Sequence, residues 1–312
     1  MPTSVDSPPA RVDHIVRTGC KINWYLRIGP RRADGYHDLE TLFIPLDEPH
    51  DELRIILMTG NGPTEFEGAS AASGLRVLCS QAGIDPTHNT LTTAYDLWYK
   101  AVGTAPPLEL SLIKGVPHGA GLGGGSADAA GLLLFLQQWA EKSGHSPLAP
   151  QALNALAAKV GADVPFFLLN KPALACGIGE HLLPTANPLA GKHLVLVCPG
   201  IEVSTAWAFK ALDANREENR KSSVKNLTSD GPRDNTSFAY GGNHENDLEQ
   251  VVFSAFPELR HIRDELLKKK AQVARMSGSG SSIFGVFSEK ERAQAAAAAL
   301  PYRAYVASFA GA

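Results

Sequence analysis

The sequence predicts an α+β protein of two domains, and three observations predict it. Its 312 residues are enough for two ordinary domains. The opening stretch alternates apolar and polar positions in runs joined by short turns, which is the pattern of antiparallel strands. The second half alternates helical runs with short apolar strands, as a small α/β layer does.

Taken in order, residues 1–13 carry prolines and an acid but no apolar segment, so they read as a frayed tail rather than a signal peptide. IVRTGCKINWYLRI (15–28) reads as strands broken near Gly19, with Ile22, Trp24 and Leu26 alternating against Asn23 and Tyr25. PRRADGYHDL is a turn centred on Asp34-Gly35, and LETLFIPL (39–46) and ELRIILM (52–58) are two further strands. Residues 61–73 are a Gly-, Ala- and Ser-rich loop or strand edge. Helices are expected near 74–82 and 89–102, and LELSLIKGV (108–116) is a strand.

From Ser126 to about Lys142 a helix is expected, apolar nearly all round at Leu132–Leu136 and therefore buried. The next helix, PLAPQALNALAAKVG (147–161), is expected to stop in a left-handed cap at Gly161. VPFFLL (164–169) reads as a short strand with Asp163 at its start, and HLVLVCPG (193–200) as the strand that opens a second domain. Asp213 to Asn246 is polar and reads as a mobile surface insertion. A helix broken near Pro257 follows (246–269), then two apolar segments around a Ser-Gly loop (273–287), a helix (291–300) and a closing strand (302–309). No internal repeat is evident.

Composition narrows the function. A formal net charge of -3 lacks the broad basic excess of nucleic-acid proteins, although a local basic pocket is compatible with it. The longest apolar run, Gly131–Leu136, is too short to span a bilayer, so a cytoplasmic protein with no membrane partner is expected. Cys20, Cys79, Cys176 and Cys198 show no CxxC spacing and read as reduced core residues.

The chemistry concentrates in VPHGAGLGGGSADAAG (116–131), with five glycines between Gly119 and Gly125. Gly119, Gly121 and Gly124 match G-x-G-x-x-G literally. The dinucleotide fingerprint, however, needs a strand running into the first glycine, and here Pro117 and His118 intervene. Gly119, Gly124 and Ser126 fit the frame of a P-loop, but Gly125 stands where its lysine belongs. A third reading remains: a glycine loop whose N–H groups, with the helix start behind it, cradle an anion. A plain turn would need only one or two glycines.

Two charged residues stand out beside it. Lys21 lies in an apolar strand next to Asn23, as a strand-edge lysine or a site residue. Asp163 precedes VPFFLL, as a cap or a site residue. Lys114, Arg31 and Arg32 read as solvated surface charges.

Together these pieces resemble the galactokinase, homoserine kinase, mevalonate kinase and phosphomevalonate kinase superfamily. Pro117–Ser126 resembles its second motif, P-x-G-x-G-L-G-[GS]-S, with an added glycine, and Met276–Phe287 resembles its third. KINWYLRIGPRRADGYHDLETLF (21–43), GAGLGGGSADAA (119–130) and GADVPFFL (161–168) are more specifically similar to the 4-diphosphocytidyl-2-C-methyl-D-erythritol kinase family. Cys198–Lys210 matches it more loosely. The similarity is ordered along the chain and covers most of residues 15–290.

The resemblance implies a two-domain small-molecule kinase fold. Residues 1–188 would form an ATP-binding and catalytic domain like domain 2 of ribosomal protein S5. Residues 189–312 would form a ferredoxin-like, substrate-side domain, with substrate and ATP in the cleft between. It also implies transfer of the ATP γ-phosphoryl group to the 2-hydroxyl of diphosphocytidyl-methylerythritol, a step of the non-mevalonate route to isoprenoid precursors.

By that resemblance Lys21 and Asp163 are the catalytic pair. Asp163 would orient the acceptor hydroxyl and take its proton, and Lys21 would offset charge at the transfer point. Pro117, Gly119, Ala120, Gly121, Leu122, Gly123, Gly124, Gly125 and Ser126 would hold ATP. Ser126 would also meet Mg²⁺, and Asn89 would approach the base or ribose. His37 would hydrogen-bond cytosine between Tyr36 and Phe209, and Asn23 and Thr205 would line the methylerythritol part. A monomer or weak homodimer is expected.

The chain departs from the family pattern at Cys20, Trp24 and Tyr25, and Ala127 removes a hydroxyl that is usual there. Two other functions compete: another small-molecule kinase of the superfamily, and a non-enzymatic nucleotide- or RNA-associated module.

Overall fold

The computed structural model describes residues 13–58, 74–79, 81, 84–225 and 245–311, with the backbone alone for 220–225. The expected frayed tail up to residue 12, the loop 61–73 and residues 226–244 of the polar stretch lie outside the described residues.

The first strand, β1 (His14–Arg31), runs unbroken through Gly19. This glycine serves packing rather than termination: a Cβ there would collide with the carbonyl oxygen of Leu46. A second long strand, β2 (His37–Leu57), likewise merges the two strands expected there. The expected helix at 74–82 is instead β3 (Leu75–Cys79). Leu75 and Val77 are buried while Arg76 reaches Glu109 at 2.9 Å, so the two-residue period decides the conformation.

The helix α1 (Thr90–Val102) starts in a reciprocal cap at Asn89. Then come β4 (Leu108–Ile113) and α2 (Gly124–Lys142). Leu132, Leu133, Phe135 and Leu136 are buried as expected, and Leu134 is exposed. Helix α3 (Pro150–Val160) ends at Gly161 with φ 179°, which is extended backbone and not the left-handed cap expected.

VPFFLL is not a strand but the helix α4 (Val164–Leu169). Pro165 fits its first turn, and an apolar run this short carries no period to distinguish the two. A short hairpin, β5 (Ala173–Cys176) and β6 (His181–Pro184), follows where no strands were expected.

After β7 (His193–Cys198) comes α5 (Thr205–Lys225), so Asp213–Lys225 belongs to a helix rather than to a surface insertion. The next helical stretch breaks as expected, into α6 (Glu249–Ala255) and α7 (Pro257–Lys268). The chain closes with β8 (Val273–Met276), β9 (Ile283–Phe287), α8 (Lys290–Ala298) and β10 (Arg303–Ser308).

The chain packs as two compact units, neither continuous in sequence. The first comprises residues 1–21, 45–117 and 123–171, and the second 22–44, 118–122 and 172–312. The long strands and the glycine loop therefore each contribute to both.

In the first unit β4 pairs antiparallel with the C-terminal half of β2, from Leu57↔Leu108 to Glu52↔Ile113, and parallel with β3. Helix α2 packs among α1, α3 and α4. In the second unit the sheet order is β10-β7-β9-β8, and Val195, Val197, Ile262, Leu266, Met276 and Phe287 share one apolar core. Each fully buried aliphatic side chain contributes about 1.5–3 kcal/mol. Of the cysteines expected in the core, Cys20 and Cys198 are buried, Cys79 is half-buried and Cys176 is exposed; none of the four is in a disulfide. The exposure of Cys176 follows from its place at the end of β5.

In the second unit, Glu249 accepts the Met276 N–H at 2.7 Å. Burial pushes its carboxyl above the usual range, against the opposing effects of that bond and of Arg263. A carboxyl whose folded pKa is raised stabilises the fold at low pH and loses that contribution as pH rises through the folded value. The melting temperature of the native chain, relative to Glu249→Gln, is therefore expected to fall from pH 4.5 upward. A native-minus-variant difference that rises with pH would contradict this.

Candidate active site

Within the first unit, β1 carries Lys21 and the turn before α4 carries Asp163. Lys21 is 5 % exposed, too deep for an idle strand-edge lysine, and its Nζ lies 3.6 Å from Asp163 Oδ2. Asp163 stands at the N-cap position of α4, yet its side chain makes no capping hydrogen bond. It faces Lys21 instead and is 31 % exposed, a charge-paired carboxylate still open to an incoming group.

The C-terminal half of the glycine loop packs onto this pair. Gly123 has φ +73°, and a Cβ there would press on Phe167 Cε2 at 3.0 Å and Lys21 Cε at 3.3 Å. Bare backbone therefore touches the stem of the lysine. Gly125 offers its carbonyl to Thr90 Oγ1 at 2.7 Å. The Ser126 hydroxyl is 3.9 Å from where a Cβ on Gly161 would stand, two residues before Asp163. The Ser126 and Ala127 N–H groups both turn back to Gly123 O, which leaves the N–H groups of Gly124 and Gly125 as first-turn donors without an intrahelical acceptor.

Asn89 is occupied: its Oδ1 accepts from Leu91 and Thr92, and its Nδ2 donates to Asp85 O at 2.8 Å. It fixes the start of α1, and so the position of Thr90. Pro117 is half-buried where the loop begins.

Lys114, expected at the surface, is buried. Its Nζ bonds Asp51 Oδ2 and stands 3.1 Å from Asp128 Oδ2. Burial opposes its charge, but the two carboxylates outweigh burial and raise its pKa. For Asp128 burial dominates and pushes the carboxyl up, with Asp51 adding to the effect.

In the second unit the first half of the loop interlocks with the Ser-Gly loop between β8 and β9. Ser277 Oγ donates to Gly121 O at 3.1 Å, and Ser282 N to Ala120 O at 3.2 Å. Gly121 has φ +74°, and a Cβ on it would strike the Ser277 carbonyl oxygen. Ala120 and Leu122 are buried, and Gly119 is exposed beside Glu202. Asn23 is buried, with its backbone N–H on Ser277 Oγ at 3.1 Å and its Nδ2 on Thr41 Oγ1 at 2.9 Å.

Thr205, Phe209 and Asp213 follow one face of α5 at four-residue spacing. Thr205 Oγ1 meets Ser279 Oγ at 2.8 Å. The Phe209 ring lies 5.4 Å from that of His37. Asp213 Oδ2 lies 3.3 Å from His37 Nε2, while His37 Nδ1 is 3.0 Å from Gly29 O. Tyr36, next in the chain, is 59 % exposed on the turn. The geometry thus brings His37 and Phe209 together and leaves the Tyr36 ring exposed.

Asp213, Ser277 and Ser279 escaped the sequence reading. The four-residue spacing from Thr205 was the signal for Asp213, hidden by treating the polar stretch as an insertion.

The chain that brings together this buried lysine, half-open carboxylate and glycine loop is of the GHMP kinase class. The GHMP kinase N-terminal domain model matches residues 89–171, and the GHMP kinases C-terminal model matches residues 239–307. The 4-diphosphocytidyl-2-C-methyl-D-erythritol kinase of Nitratidesulfovibrio vulgaris (strain DP4) is 48% identical over 282 residues, covering 90% of this chain and 92% of the relative. That of Solidesulfovibrio magneticus is 42% identical over 292 residues, covering 92% and 94%. A crystal structure of 4-(cytidine 5'-diphospho)-2C-methyl-D-erythritol kinase, 33% identical, matches with a TM-score of 0.70 over 94% of this chain and 98% of its own. The chain belongs to the 4-diphosphocytidyl-2-C-methyl-D-erythritol kinase family. A homoserine kinase from Cytophaga hutchinsonii shares the fold, with a TM-score of 0.62 at 17% identity. Among the described residues no helix is long and apolar enough to cross a membrane.

The interlock of the two loops gives a direct check. Gly121→Ala combines left-handed strain with a collision against backbone, so it is expected to destabilise the chain by about 2 kcal/mol or more in denaturant unfolding. An unchanged midpoint would contradict the close approach.

Proposed function

We propose that the chain transfers the γ-phosphoryl group of ATP to the 2-hydroxyl of 4-diphosphocytidyl-2-C-methyl-D-erythritol, giving the 2-phosphate and ADP, as a step of the non-mevalonate route. Family membership supports the substrate. The observation that carries the chemistry is the Lys21–Asp163 pair beside Gly123.

In this reading Asp163 accepts the hydrogen bond of the 2-hydroxyl and takes its proton as the new O–P bond forms and the bond from the γ-phosphorus to the bridging oxygen breaks. Phosphoryl transfer depends mainly on alignment and charge, so a positioned carboxylate suffices. Lys21 holds that carboxylate in place and offsets charge where phosphoryl arrives. The N–H groups of Gly124 and Gly125 bind phosphate oxygens at the helix start.

Among the described residues no cluster of three or more His, Cys, Asp or Glu could hold a metal ion. Mg²⁺ would be carried in by the phosphates, and the Ser126 side chain would add an oxygen to it. The cation would neutralise phosphate charge.

His37, Phe209 and Tyr36 hold the cytosine. Asp213 and Gly29 O fix the orientation of the His37 ring, and Asn23 and Thr205 line the remainder of the substrate. Residues 1–188 supply the ATP-binding and catalytic elements, and 189–312 complete the substrate side.

Asp163→Asn is expected to keep its melting temperature and lose about 10²-fold or more in kcat. A near-native kcat would remove Asp163 from the mechanism. His37→Ala is expected to raise KM for the cytidyl substrate and leave KM for ATP unchanged; the reverse pattern would overturn the substrate assignment. Equal turnover of methylerythritol phosphate without its cytidyl group would favour another kinase of the superfamily.

A further inference from the structure

Buried charge beneath the glycine loop exceeds what the reaction uses. Asp51 on β2 is fully buried. Its Oδ1 accepts the backbone N–H groups of Gly115 at 2.7 Å and Val116 at 2.8 Å, and its Oδ2 takes Lys114 Nζ. Lys114 continues to Asp128 Oδ2 at 3.1 Å, and Thr18 Oγ1 on β1 donates to Asp128 Oδ1 at 2.6 Å. One network thus joins β1, β2, the chain leaving β4 and the first turns of α2, all within the first unit.

Gly124 rests directly on this network. A Cβ there would stand 2.9 Å from Val116 Cγ1 and 3.2 Å from Asp51 Oδ2. Opposite, Thr90 holds the carbonyl of Gly125. The two first-turn donors, Gly124 and Gly125, are therefore positioned by packing on Asp51 and Val116 and by the Thr90 contact. A buried ion pair with this many partners is costly to desolvate and is often replaceable by apolar residues without loss of stability. Stability alone therefore gives weak reason for it, whereas a fixed backbone at a phosphate cradle gives a strong one.

We propose that Asp51, acting through Lys114 and Val116, is a positioning residue for the nucleotide: it holds Gly124 and Gly125 where their N–H groups meet phosphate. This rests on the reading that the glycine loop binds ATP.

The test is steady-state kinetics on the full chain together with calorimetric titration of a non-hydrolysable Mg-ATP analogue. Asp51→Asn keeps shape and an acceptor for the two N–H groups but sets a donor against Lys114. It is expected to raise KM for ATP and weaken analogue binding about tenfold, or about 1.4 kcal/mol, with KM for the cytidyl substrate unchanged.

Thr18→Val is conservative in a strand and tests the far end of the network. It is expected to give a smaller rise with the same selectivity, and it decides the matter if Asp51→Asn does not fold. Equal rises in both KM values, or lowered melting temperature with unaltered nucleotide binding, would overturn the proposal. If the native chain itself failed to bind the analogue, the reading of the loop would fall instead.

Discussion

Main chain lying against its neighbours without room for a side chain is the constraint on which the rest of this structure depends. At Gly121 the neighbour is the carbonyl of Ser277; at Gly123 it is Phe167 and the stem of Lys21; at Gly124 it is Val116 and Asp51. Each contact fixes a different stretch of one loop. Within the first unit Gly123 and Gly124 are each held against packed neighbours, and donors preorganised in this way are suited to stabilising transferred phosphate without moving during the reaction. The entropy cost of so many glycines is offset by contacts that larger residues could not make.

The same loop explains how two buried lysines come to play different parts. Lys21 faces the carboxylate of Asp163, which is partly exposed, so the pair is open on one side. Lys114 lies between two carboxylates that are almost wholly buried. That arrangement is closed, and what it offers is position. In the sequence they could not be ranked this way: Lys114 stands near glycine and proline and looks solvated, and only the fold brings Asp51 and Asp128, from different elements, to meet it.

Local pattern carried most of the architecture. Alternation revealed β1, further short strands were read within β2 and at β4, a helix was read at 89–102 where α1 lies, and the apolar run after Ser126 revealed α2. It failed where the apolar run was too short to show a period, as in VPFFLL, and where a strand was judged without its partner, as in Leu75–Cys79. A contiguous cut at 188/189 follows the order of the family's segments, whereas the compact units draw on several segments because β1 and β2 are long enough to enter both.

The proposed site could be drawn up from local sequence at the glycine motif, Lys21 and Asp163. It was not legible where roles arise from contacts across the chain, as for Asp213 against His37 or Ser277 against Gly121.

The central claim is tested most directly by following ADP release from the purified native chain with Mg-ATP and 4-diphosphocytidyl-2-C-methyl-D-erythritol, and reading the product by phosphorus NMR. The account predicts ADP released in step with a new phosphomonoester on the 2-hydroxyl. ATP bound without turnover, or phosphate attached at another hydroxyl, would contradict it.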